Sequence, residues 1–76
     1  MRETLFTLTK RETEVYSLLL KGLNITEIAQ QMRLSYTTVH TYRTLIYQKK
    51  GVSTIQQLLA QRIQELQDTI QELQTA

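Results

Sequence analysis

The starts of helices are written plainly into this chain. Thr9-x-x-Glu12, Asn24-x-x-Glu27 and Ser53-x-x-Gln56 each set a short polar side chain three residues ahead of a carboxylate or carboxamide. At that spacing the first side chain accepts from a backbone N–H one turn on, and the second reaches back to the N–H at the cap. Ser35 offers a fourth cap. Four helices are therefore predicted. The 76 residues hold no proline and only two glycines, and Leu, Gln, Glu, Lys and Thr abound, which favours helix over a strand-and-turn architecture. The expected fold class is all-α.

The apolar rhythm fills in each helix. The first, over residues 9–21, buries Val15, Leu18 and Leu19, and Gly22 stands where a left-handed C-terminal cap belongs. The second, Ile25–Met32, turns Ile28, Ala29 and Met32 inward, and Arg33-Leu34 forms a tight turn to Ser35. The third, Tyr36–Lys50, carries Val39, Tyr42, Ile46 and Lys49 on a 3, 4, 3 rhythm, leaving His40, Thr41, Arg43, Thr44 and Tyr47 largely outward. Leu23 with Ile28, and Leu34 with Val39, sit at hydrophobic-staple positions around the second and third caps.

Gly51-Val52 separates the third helix from a fourth with no breaker over residues 54–76, about 30 Å at the standard rise. Leu59, Ile63, Leu66, Ile70 and Leu73 follow spacings of 4, 3, 4 and 3, a heptad seam with Ile at a and Leu at d, which favours a parallel pair of helices. Gln61, Gln64, Gln67, Gln71 and Gln74 interleave with it as a polar outer face. A chain this short holds one small core, and it has no cysteine to staple it. Self-association is accordingly expected, with those five apolar residues as the dimer interface. Residues 1–52 read as an N-terminal segment and core, and 53–76 as the C-terminal helix that continues the domain and forms the seam.

Charge is distributed unevenly. Residues 1–50 carry eight Lys or Arg against four Glu, a net of +4, whereas 51–76 carry Arg62 against Glu65, Asp68 and Glu72, a net of −2. The stretch from Arg33 to Lys50, with Arg33, Arg43, Lys49 and Lys50, has no acidic residue, as a phosphate-facing surface requires. Catalysis is poorly supported. There is one histidine, no cysteine, no glycine-rich phosphate loop and no paired carboxylate set to act as acid and base. No cofactor or metal is expected. Met1-Arg2-Glu3 begins no signal peptide and no stretch is long enough to span a membrane, so the expected location is the cytoplasm.

Two short helices joined by a tight turn, the second basic and free of acids, describe a helix-turn-helix, whose second member enters the major groove. Leu8-Thr9-x-Arg11-Glu12-x-Glu14-Val15, Glu27-Ile28-Ala29, Thr38-Val39 and Lys49-x-Gly51-Val52 stand in the order and spacing of the LuxR-type, or GerE-type, DNA-binding domain. The chain resembles that family over about Leu8 to Leu59. Sigma-factor region four also has a helix-turn-helix and an Arg-Glu-rich first helix, but the Thr-Val and Lys-x-Gly-Val fragments fit the LuxR type better.

The resemblance implies a four-helix domain whose third helix reads DNA and whose fourth pairs with its twin, usually at the C-terminal end of a larger regulator; here it suggests a small stand-alone one. It assigns His40, Thr41 and Thr44 to the base edges, where they offer donors and methyl groups. Arg33, Ser35, Thr38, Arg43, Lys49 and Lys50 are then the expected phosphate contacts. The chain departs from the family's usual Lys or Arg at His40, His at Tyr42, Leu at Lys50 and Lys at Thr26. At position 40 the imidazole offers ring nitrogens for hydrogen bonds where the family usually has a long basic side chain. The expected function is a bacterial transcription regulator binding double-stranded DNA as a homodimer, with no membrane partner. The competing expectation is an antagonist that heterodimerises with a larger LuxR-type regulator through the C-terminal helix.

Overall fold

Side chains close the starts of the helices that these patterns predict, and backbone hydrogen bonds close the ends of the first three. In the computed structural model, which describes residues 7–75 with side chains through Leu73, the helices are α1 (Lys10–Leu20), α2 (Ile25–Met32), α3 (Tyr36–Lys50) and α4 (Ile55–Thr75). No strand occurs among the described residues, and the all-α class holds. The readings of Met1-Arg2-Glu3 and of the Gln74 side chain lie outside the described residues.

At the start of α1, Thr9 Oγ1 accepts from Glu12 N at 3.2 Å, and Thr9 N donates to Glu12 Oε1 at 2.8 Å. Asn24 and Glu27 make the same reciprocal pair at α2, both bonds at 2.8 Å. Ser35 Oγ accepts from Thr38 N at 3.1 Å and starts α3. The fourth cap differs from the expectation by one residue. Thr54 Oγ1, not Ser53, accepts the helical N–H, from Gln57 at 3.1 Å, while Ser53 N donates to Gln57 Oε1.

α1, α2 and α3 end alike. A residue in the left-handed region follows the last turn, and the next N–H reaches back five residues: Leu23 to Leu18 O at 3.2 Å, Leu34 to Ala29 O at 2.9 Å and Val52 to Tyr47 O at 3.0 Å. Gly22 and Gly51 take the positive φ without steric cost. Arg33 takes it at φ 58° with a full side chain, which costs about 1 kcal/mol or more and holds the turn between α2 and α3 to three residues, Arg33 to Ser35.

The core joins Val15, Leu18 and Leu19 of α1 to Ile25, Ile28 and Ala29 of α2, Val39 and Ile46 of α3, and Leu58 of α4. Met32 and Tyr42 pack against it half-buried, as do the staple residues Leu23 and Leu34. From α4 the domain takes Leu58, fully buried, with Ile55, Gln61 and Glu65 half-buried; every described residue beyond Glu65 is exposed. α4 therefore docks by its first half and projects by its second.

Candidate nucleic-acid interface

α3 is amphipathic in an unusual sense: one face is core, and the opposite face is neutral, polar and rich in threonine. Thr37, His40, Thr41, Thr44 and Gln48 are all exposed along it. The three expected base-reading residues, His40, Thr41 and Thr44, are thus brought together on one solvent face. Thr44 Oγ1 donates to His40 O at 3.1 Å, which leaves its methyl group and oxygen lone pairs to face outward. At the leading end of the helix the Tyr36 and His40 rings stack, with centroids 6.3 Å apart and planes 23° from parallel. Thr37 and Gln48 were not singled out in the sequence. The signal was present, since 37, 41, 44 and 48 step by 4, 3 and 4 on the side opposite Val39 and Ile46.

The expected phosphate contacts divide into two groups. Arg33, exposed in the turn, and Ser35 with Thr38, at the start of α3, flank the solvent face. Ser35 Oγ donates to Thr38 Oγ1 at 2.8 Å, so the two hydroxyls act as a unit. Arg43 is half-buried and its guanidinium lies 5.7 Å from the centroid of Tyr47, a cation–π contact that fixes the charge at the edge of that face.

Lys49 and Lys50, the second group, both fold back onto α1. Lys49 Nζ donates to Glu12 Oε1 at 2.7 Å and to Thr7 O at 3.3 Å. Lys50 Nζ lies 4.9 Å from the centroid of the Tyr16 ring, and Lys50 O accepts from Gln61 Nε2 at 2.9 Å. In the free protein their charges serve the α1–α3–α4 junction and not the outward face. Burial alone would push the Glu12 carboxyl up, but hydrogen bonds and charge from Lys49, with the Thr9 hydrogen bonds, outweigh it and hold it below its ordinary value.

Among the described residues no group of His, Asp or Glu is placed to hold a metal ion, and no helix is long and apolar enough to cross a membrane. Two helices joined by a three-residue turn, the second anchored on one face and offering an acid-free polar face to solvent, define a helix-turn-helix DNA-binding module.

Comparison with known proteins agrees. The family of bacterial regulatory proteins named for luxR matches residues 6–61, and the chain belongs to it. Transcriptional regulatory protein UhpA of Escherichia coli strain K12 is 46% identical over 46 residues, and its Salmonella typhimurium LT2 counterpart matches equally. Each match covers 60% of this chain and 24% of the relative, so the chain corresponds to about a quarter of those proteins. No solved structure gives a significant match. The reading of the sequence as a DNA-binding transcription-regulator domain rests on this membership and the fold together.

Proposed function

We propose that the protein is a cytoplasmic, sequence-specific transcription regulator that binds DNA as a homodimer, with α3 in the major groove. The observation that carries this reading is the outward face of α3, where His40, Thr41 and Thr44 stand exposed on a rigidly anchored helix. Imidazole nitrogens and threonine hydroxyls exchange hydrogen bonds with base edges, and threonine methyls pack on thymine. Arg33, Ser35, Thr38 and Arg43 supply the phosphate contacts that set register and orientation. The exposed seam Leu59, Ile63, Leu66, Ile70 and Leu73 supports a second copy as the partner of α4.

The test is selection of bound sites from a random DNA pool, followed by affinity against salt for the best site. Arg33→Gln and Arg43→Gln should each weaken binding across all sequences and reduce the log–log salt slope by about 1. Thr41→Ala and Thr44→Ala should change base preference by roughly 1–3 kcal/mol at individual positions, with little change in slope. If none of the four substitutions alters affinity, slope or the selected site, α3 is not the DNA face.

A further inference from the structure

Three of the four tyrosines, Tyr16, Tyr42 and Tyr47, are half-buried against the core. Tyr36 is not: it is 56% exposed at the first position of α3, directly after the Ser35 cap. No packing requirement holds a large aromatic there. Its ring is nevertheless restrained, because it stacks on His40 one helical turn further along. A restrained, exposed aromatic loses little conformational entropy on binding, which is why such side chains serve as contact anchors.

We propose that Tyr36 is a specificity-determining residue that reads the 5-methyl group of one thymine, and that its stack with His40 positions it to do so. This rests on the assignment of α3 to the major groove. The N-terminal end of a helix-turn-helix recognition helix is the part that meets base edges, and Tyr36 is at that end. In the major groove the thymine methyl is the one apolar feature that separates A·T pairs from the others, and a ring is a suitable surface for it. The stack leaves the other face and the edge of the Tyr36 ring free for that contact while His40 keeps its ring nitrogens for an adjacent base. An aromatic pair thus stands at the start of the recognition helix, with Arg33 and Arg43 on its flanks.

The experiment uses the full chain and the best site selected from a random DNA pool, with each thymine replaced in turn by uracil, which removes only the methyl. At one thymine per half-site the wild type should lose about fourfold in affinity, the worth of one buried methyl-sized group. Tyr36→Phe should keep that loss, and Tyr36→Ala should abolish it, binding thymine and uracil equally there. His40→Ala should reduce the discrimination, because the ring loses its stacking partner. Tyr36→Gln repeats the test with a helix-compatible polar residue, and thermal unfolding checks that each variant is folded. A uracil response at every thymine that is the same in Tyr36→Ala, Tyr36→Gln and wild type overturns the inference while leaving α3 as the reading helix. If the wild type enriches no site at all, the assignment of α3 falls and this inference with it.

Discussion

At the scale of single residues, the contact with the largest consequence is the ion pair between Glu12 and Lys49, partners 37 positions apart in sequence. Glu12 lies in the first turn of α1 and Lys49 in the last turn of α3, so each charge also sits at the helix end that favours it. The Glu12 side chain is 4% exposed and that of Lys49 20%, and taking away either partner strands a charge in the core margin. Glu12→Gln should therefore cost about 3 kcal/mol at neutral pH. The sign of the pH dependence separates charge pairing from packing. With its carboxyl held below the ordinary value, Glu12 in the wild type stabilises above the ordinary glutamate pKa, and that stability is lost as pH falls through its lower folded value. Glu12→Gln should flatten this part of the curve. Lys49→Met removes the pairing and leaves burial opposed by the Thr9 hydrogen bonds alone, so the carboxyl rises and the deficit relative to wild type should shrink as pH falls. Thermal midpoints from neutral pH to about pH 3.5 measure all three, and parallel curves would show that the pair contributes nothing. The pairing was half legible. Lys49 fell on the inward rhythm of Val39, Tyr42 and Ile46, but an acid-free basic run reads as a phosphate surface until its distant carboxylate is located.

At the scale of elements, α2 and α3 begin and end where the sequence places them because several local signals agree. Each has a side-chain cap, a staple residue packed on the core, and a left-handed residue at its end. α4 has two neighbouring hydroxyls and two glutamines at its start, so Ser53 with Gln56 and Thr54 with Gln57 fit the capping pattern equally well. Periodicity cannot separate them. Tertiary packing does: a cap at Thr54 puts Ile55 and Leu58 on the inner face of the first turn, and Leu58 is fully buried. Thr54→Ala should lower stability by about 1 kcal/mol, and Ser53→Ala by less than about half that, because the Ser53 bond comes from its backbone. Denaturant unfolding of the two variants decides it, and equal losses would return the cap to both residues. The outward face of α3 was legible in its threonines and its histidine. Its aromatic tip was not, because an exposed tyrosine next to a cap looks in sequence like one more helix-start residue.

At the scale of the whole molecule, the question is what covers the second half of α4. Leu59, Ile63, Leu66, Ile70 and Leu73 are 36%, 55%, 47%, 52% and 75% exposed, and they form one row along a helix that has left the domain. The family match ends at residue 61, so four of the five lie on an extension of the shared domain. A continuous apolar row of this kind marks an interaction surface. The flanking positions support an identical helix as its occupant: with Ile at a and Leu at d, they are Ala60, Arg62, Gln67 and Thr69, and Arg62 already pairs with Glu65 at 3.4 Å. Nothing on the flanks repels a second copy or encodes an oppositely charged partner. Because Gln61 and Leu58 tie α4 to α3 and the core, pairing of α4 would also fix the separation of the two recognition helices. The selected DNA site should then be an imperfect palindrome with half-sites about one helical turn, roughly 34 Å, apart. Ile63→Lys with Leu66→Lys sets like charges in the seam and leaves Ile55, Leu58 and Gln61 in place. This variant should sediment as a monomer, keep cooperative unfolding of the core, and bind the palindrome about a hundredfold or more weaker while its half-site affinity is unchanged. A wild-type chain that stays monomeric at micromolar concentration would point to a different partner for the seam. A double mutant that binds the palindrome as tightly as wild type would remove α4 pairing from the mechanism.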